Sequence, residues 1–293
     1  MSHKSGFVNI VGNPNVGKST LMNIFVGERI SIATFKSQTT RHRIMGIVNE
    51  EDCQIVFSDT PGVLKPSYKL QESMRAFSDS ALDDVDILLY VTDTVESEEK
   101  NADFIEAVNK LSVPKLVLIN KIDLIDEKAL IALVEKWKQL IPDGEIYPVS
   151  AKVRFNVDTV MRRIRQLLPD SPPYFEKDQL TDKPMRFFVS EIIREKILLY
   201  YDKEIPYCVE VVVNEYKESQ DLVRIQATIN VEHESQKGII IGKSGVALKK
   251  VSTEARKSIE KFIDKKVFIR IFVRVDKGWR NSARELSHFG YNN

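Results

Sequence analysis

Gly12-Asn13-Pro14-Asn15-Val16-Gly17-Lys18-Ser19 decides how this chain folds. The octet fits G-x-x-x-x-G-K-[ST]. It follows the apolar run Phe7-Val8-Asn9-Ile10-Val11 and precedes a helical pattern, the setting of a phosphate-binding loop. Each residue type has a reason. The glycines let the backbone close around phosphates, and the helix start offers free N–H groups and a positive dipole end. Lys18 reaches towards the β- and γ-phosphates, Ser19 supplies a hydroxyl for Mg²⁺, and Thr20 is expected among the GTP-binding residues.

Working outward, four more apolar runs read as strands: Gln54–Phe57, Ile87–Val91, Lys115–Ile119 and Ile146–Val149. Near-continuous apolar strands separated by amphipathic stretches predict an α/β domain with a doubly wound, mainly parallel sheet of the P-loop NTPase kind. The clearest helix carries Val157, Val160, Met161, Ile164, Leu167 and Leu168 on one face, with Arg162, Arg163 and Arg165 opposite. Pro169, Pro172 and Pro173 stop it and predict a stiff linker. The expected division is a nucleotide domain over residues 1–170, a linker over 171–184 and a second domain over 185–293.

Asn120-Lys121-Ile122-Asp123 follows one of these strands, so it sits at the sheet edge where ligands bind. A carboxylate at Asp123 can accept from guanine N1–H and the exocyclic amine. Adenine lacks that donor pair, and an unpaired carboxylate there penalises it. Ser150-Ala151-Lys152 lies where its backbone can meet guanine O6. Asp59-Thr60-Pro61-Gly62 follows another strand; Asp59 can hold Mg²⁺ through water, and Gly62 N–H can meet the γ-phosphate. Thr39 and Thr40 lie in a polar stretch. One of them is expected on Mg²⁺, and Thr40, next to Arg41, is favoured. The site thus takes GTP or GDP with Mg²⁺, and Lys18, Thr40 and Gly62 are the expected catalytic residues.

The second domain reads as α-β-β-α-α-β: a helix over 187–200, strands over 208–214 and 223–231, a short helix, a long helix over 246–263 and a strand over 267–275. The end of the short apolar helix and the turn after it read Lys237-Gly238-Ile239-Ile240-Ile241-Gly242-Lys243-Ser244-Gly245, with Gly242–Gly245 between that helix and the long one. Gly242–Gly245 fits the G-x-x-G loop of a KH domain, where glycine lets backbone approach a single-stranded nucleic acid. The isoleucines are expected partly in an apolar groove for bases and partly in the core. Val267, Ile269, Ile271, Val273 and Val275 face the core; Phe268, Arg270, Phe272 and Arg274 share the other face, which suits base stacking or simply the half-covered back of a sheet. Trp279, Arg280, Arg284 and Tyr291 are expected either to touch RNA or to close the domain.

Composition agrees. The chain has 293 residues, 43% hydrophobic and 29% charged, as a globular protein does. Its net charge of +1 hides an asymmetry: residues 235–293 hold 14 basic and 5 acidic side chains, a net +9, the footprint of a nucleic-acid face. No apolar run approaches the roughly 20 residues a membrane-spanning helix needs, and no leader pattern precedes the first strand. The two cysteines, Cys53 and Cys208, read as core thiols, and the four histidines show no metal spacing.

The motifs in this order resemble the translation-factor-related GTPases. Gln38-Thr39-Thr40-Arg41-His42-Arg43 resembles the Era family of bacterial GTPases, and the resemblance extends over essentially the whole chain. It implies a type II KH domain, binding near the 3′ end of small-subunit ribosomal RNA, a part in assembly of the small ribosomal subunit, and a cytoplasmic monomer loosely associated with the inner face of the membrane. In Ras-like proteins a water-orienting glutamine follows the equivalent of Gly62, where this chain has Val63. Slow intrinsic hydrolysis, raised by a partner, is therefore expected. GTP is expected to order the Thr39–Thr40 loop and the loop after Gly62, and so to bias how the domains dock. Two rival readings are a signalling or membrane-trafficking switch that works through a protein partner, and an ATP-using kinase, against which Asp123 argues.

Overall fold

The computed structural model describes residues 3–63, 65–95 and 102–291; Met1, Ser2 and, in the loop after Gly62, Leu64 lie outside the described residues. The chain folds as two compact units, one running to Ser67 and again from Gln71 to Asp182, the other holding Tyr68–Leu70 and the chain from Lys183 onward.

The first unit runs β1 (Lys4–Val11), α1 (Lys18–Val26), β2 (Ile44–Asn49), β3 (Cys53–Asp59), α2 (Lys69–Ser80), β4 (Ile87–Thr92), α3 (Ala102–Asn109), β5 (Lys115–Ile119), α4 (Glu127–Leu140), β6 (Glu145–Pro148) and α5 (Val157–Leu167). Its sheet has the order β2-β3-β1-β4-β5-β6. All neighbours are parallel except β2, which pairs antiparallel with β3. β3, β4 and β5 are buried along their whole length, which is why they read as apolar runs. Strand order reverses at β1, so the loops after β1, β3, β4, β5 and β6 gather at one edge.

Residues after α5 do not hang free. Gln54 Oε1 accepts from the N–H groups of Tyr174 and Phe175, Ile47 N–H donates to Leu180 O at 2.8 Å, and Thr181 Oγ1 donates to Met45 O at 2.7 Å. The proline-rich segment is thus hydrogen-bonded along β2 and β3 as far as Asp182, whose Oδ1 accepts from Met45 N–H at 2.9 Å.

The second unit runs α6 (Met185–Tyr200), β7 (Glu210–Glu218), β8 (Leu222–Val231), α7 (Glu234–Ile241), α8 (Val246–Ile263), β9 (Lys266–Val275) and α9 (Ala283–His288). The sheet order is β7-β8-β9, with β8 antiparallel to β7 and parallel to β9. One sheet face packs on Val189, Ile193, Ile197, Ile240, Val251, Ala255 and Ile259 of the helices. β7 runs four residues past the expected Asn214, because a bulge between Val213 and Glu215 restores its register.

Alternatives left open for two C-terminal residues are separated by their burial. Trp279 is fully buried with Nε1 donating to Cys208 O, and Tyr291 is buried with its hydroxyl donating to Glu210 Oε2 at 2.7 Å, so both close the domain. Ile240 likewise lies wholly in the core. Both cysteines are buried free thiols; burial, then Glu50, pushes Cys53 up to about 11. Among the described residues no helix is long and apolar enough to cross a membrane.

Candidate nucleotide site and nucleic-acid loop

The phosphate loop is shaped by backbone that tolerates no side chain. Gly12 has φ +139° and a Cβ there would lie 2.1 Å from Val91 O. At Gly17, φ +102°, it would lie 2.2 Å from Asn120 Nδ2. At Gly62 it would lie 2.5 Å from Pro14 N. Asn15, with φ 67°, turns the loop between them. α1 then starts at Lys18 without a side-chain cap, leaving its first N–H groups to the cavity. Lys18 is buried and Nζ donates to Gly12 O at 3.0 Å and Asn13 O at 2.8 Å, which curls its ammonium back over the loop.

Three oxygen-bearing side chains meet beyond it. Ser19 Oγ donates to Asp59 Oδ2 at 2.6 Å and lies 2.8 Å from Thr40 Oγ1, which itself is 3.4 Å from Asp59 Oδ2. Asp59 is fully buried and its Oδ1 has no hydrogen-bond partner among the described residues. Burial pushes the Asp59 carboxyl above the ordinary range, against the pull of Lys18 and the nearby hydroxyls. A buried carboxylate oxygen without a partner, beside two hydroxyls, is a hard-oxygen set that fits Mg²⁺. Thr39 is elsewhere: its hydroxyl donates to Lys36 O and pairs with Thr34 Oγ1.

Asn120 binds the base-side loops together. Its Nδ2 donates to Val16 O at 2.8 Å and its Oδ1 accepts from Ala151 N–H at 3.0 Å. Lys121, in the left-handed region at φ 64°, donates to Asn15 O and to Asp93 Oδ2, both at 2.6 Å. Asp123 is exposed, with Oδ1 accepting from Ser150 Oγ at 2.6 Å. Together these loops line a cavity of about 510 Å³ that reaches from Gly17 and Thr20 past Asp123 to Lys152. Thr60 and Pro61 support its floor from behind, Thr60 Oγ1 donating to Ile10 O and Pro61 O accepting from Ser78 Oγ. Asp93, Phe35 and Leu124 are site residues that motif reading missed. Asp93 could have been found, because it follows strand β4 at the same sheet edge.

The second loop is built differently. Gln236 Oε1 accepts from Glu232 N–H and His233 N–H, which fixes the start of α7. Gly242 N–H donates to Gly238 O, and Tyr201, its hydroxyl pushed up to about 12 by burial, donates to Ile240 O. Gly242 (φ 72°), Ser244 (φ 52°) and Gly245 (φ 76°) then turn the chain into α8. Lys243 and Ser244 are exposed, Ile239 is 52% exposed and Val246 69%, with Lys237 and Ile241 half-buried. Two apolar side chains thus stand open beside a glycine loop that carries an exposed lysine.

Comparison with known proteins agrees with this arrangement. Residues 7–121 match the family described as 50S ribosome-binding GTPase, and residues 204–280 match the KH domain. The chain is 46% identical to GTPase Era of Geotalea uraniireducens, covering 98% of each chain. It is 44% identical to GTPase Era of Alkaliphilus metalliredigens, covering 99% of this chain and 100% of that one. Among solved structures, an Aquifex aeolicus Era variant bound to GDP and AlF₄⁻ is similar at 35% identity with a TM-score of 0.94. Era in complex with MgGDPNP and nucleotides 1506–1542 of 16S ribosomal RNA is similar at 35% identity with a TM-score of 0.95; each likeness covers 99% of this chain and 100% of the other. At these identities over nearly the full length, the chain belongs to the Era family of GTPases.

Proposed function

We propose that this GTP-hydrolysing enzyme binds small-subunit ribosomal RNA near its 3′ end and that its nucleotide cycle assists maturation of the small ribosomal subunit. The observation that supports this most is the likeness, over 99% of the chain, to an Era that holds MgGDPNP and a 16S ribosomal RNA segment together.

In this reading Lys18 leaves the Gly12 and Asn13 carbonyls for the β- and γ-phosphates, while the N–H groups of residues 15–20 surround them. Ser19, Thr40 and Asp59 would hold Mg²⁺, which when bound neutralises charge on the phosphate oxygens. Gly62 N–H is the donor to the γ-phosphate. Asp123 reads the guanine edge. Ala151 N–H is already given to Asn120 and Ser150 N–H to Phe155 O, so Lys152 N–H is the donor left for guanine O6. Lys237, Gly238, Ile239, Ile241 and Gly242–Gly245 take the RNA. We further propose, on the family resemblance alone, a cytoplasmic monomer that associates peripherally with the inner face of the membrane.

The test is RNA affinity measured with GDPNP and with GDP bound, alongside competition by GTP and ATP. We expect guanine nucleotides alone to compete, and RNA affinity to differ between the two nucleotide states. Equal competition by ATP would remove the nucleotide reading. RNA binding that Gly242→Asp leaves intact would remove the assignment of the loop.

A further inference from the structure

The open face of the β7-β8-β9 sheet has no part in the function above. Its helical face carries the core; the opposite face carries every second residue of each strand. Phe268 is 43% exposed and Phe272 53%. Register places Arg224 beside Phe268, Gln226 beside Arg270 and Thr228 beside Phe272. The Arg270 and Arg224 guanidinium groups lie 5.3 and 6.0 Å from the Phe268 ring centre, one from its own strand and one from the next. Arg274 continues the row, exposed. None of these three arginines makes an ion pair among the described residues, and the one acid at the centre of this face, Glu215, is taken by Lys217 at 2.8 Å.

Exposed phenylalanines alternating with unneutralised arginines suit a ligand with flat apolar faces strung on a polyanion. Rings stack unpaired bases and guanidinium groups take phosphates, so the surface fits single-stranded RNA. β9 is one of the sheet's two edge strands and contacts α7 and α8, the helices that flank Gly242–Gly245, so the loop and this face are joined through one edge of the sheet. Resting on the RNA-binding reading above, we infer that Phe268, Phe272, Arg224, Arg270 and Arg274 form a second single-stranded RNA surface, distinct from the glycine loop.

The experiment uses the full chain and two fluorescent unstructured RNAs, 5 and 20 nucleotides long, because a KH loop grips about four. It compares wild type, Phe268→Ala/Phe272→Ala, Arg270→Glu/Arg274→Glu and Gly242→Asp, each checked by thermal melting. Wild type should bind the longer RNA at least about tenfold more tightly than the shorter. Both sheet variants should lose that margin and keep affinity for the short RNA; Gly242→Asp should lose the short RNA and keep part of the long. The arginine pair, exposed on the sheet, decides the matter if the phenylalanine pair disturbs folding. Sheet variants that keep the full length-dependent margin overturn this inference and leave the loop reading standing. A wild type that binds neither RNA overturns both. Sheet variants that keep RNA binding but lose binding to anionic phospholipid vesicles overturn it in favour of a membrane surface.

Discussion

The two glycine loops of this molecule do similar work in opposite ways. In the phosphate loop, the space a Cβ would need at Gly12, Gly17 and Gly62 is filled by Val91 O, Asn120 Nδ2 and Pro14 N. In the second loop nothing lies within 4 Å of a Cβ at Gly238 or Gly245, and at Gly242 only Ala247 is close. One cradle is held shut from behind by the protein, so its glycines are required before any ligand arrives. The other is largely open, so its glycines answer to the left-handed backbone at Gly242 and Gly245 and to what comes to the loop. Buried polar atoms divide the same way: Asp59 Oδ1 waits in the first site, whereas Lys243 and Ser244 are solvated in the second.

The sharpest test of this contrast is a matched pair. Gly12→Ala must adopt a backbone that side chains avoid and displace a carbonyl 2.1 Å away, at about 3–5 kcal/mol. Gly245→Ala at φ 76° meets open space and costs about 1–2 kcal/mol. Thermal melting should therefore show a large loss for Gly12→Ala and a small one for Gly245→Ala, while only the latter loses RNA binding in a folded protein. Equal losses of stability would break the comparison.

Next in size is Asp123→Asn. The side chain is exposed and an amide oxygen can keep the Ser150 bond, so melting should not move. The amide cannot accept from both guanine donors, so GTP affinity should fall by about 100-fold in a nucleotide titration. An unchanged affinity would show that base selection lies elsewhere in the cavity.

How much of this was legible beforehand follows the same divide. Residues at fixed spacing in their motifs are readable as candidates, and the fold brings Ser19 to Asp59, Ser150 to Asp123 and Ala151 to Asn120; α8 has the limits its pattern gives. Structure made by main chain was not. β2 escaped notice because Gly46 interrupts its apolar run; that glycine is there because Ile30, Val26 and Met22 fill the place of a side chain. The attachment of 174–182 to β2 and β3 joins the side chains of Gln54, Thr181 and Asp182 to main-chain groups far away in sequence, and such bonds follow no fixed spacing in the residues. Thr40 is favoured over Thr39 only by its neighbour Arg41, and geometry separates the two outright.

A smaller effect tests whether the Asp59 oxygen waits for a cation. With its folded pKa raised by burial, the carboxyl contributes stability that is present below its unfolded pKa and lost as pH rises through the folded one. A cation at Oδ1 favours the ionised form, so the gain in melting temperature from Mg²⁺, measured with GDP present, should be larger at pH 8 than at pH 5. Part of that dependence belongs to the nucleotide's own phosphate. The Asp59→Asn protein retains only that part, and a pH dependence equal to wild type in this variant would exclude the carboxyl.

The smallest expected effect concerns what the first cradle lacks. Val63 is 2% exposed, packed with Val11, Leu88 and Tyr90 in the core, and its N–H donates to Gly12 O at 3.1 Å. The position that carries a water-orienting glutamine in Ras-like proteins is here a piece of hydrophobic core. Val63→Gln should therefore leave single-turnover GTP hydrolysis by the protein alone unchanged and slow. It should cost about 1–3 kcal/mol in melting, because the amide enters apolar surroundings. A faster rate would mean that residue 63 can reach the nucleotide. The expectation that an outside partner supplies what hydrolysis lacks would then fail, since the missing group would be a single side chain at residue 63.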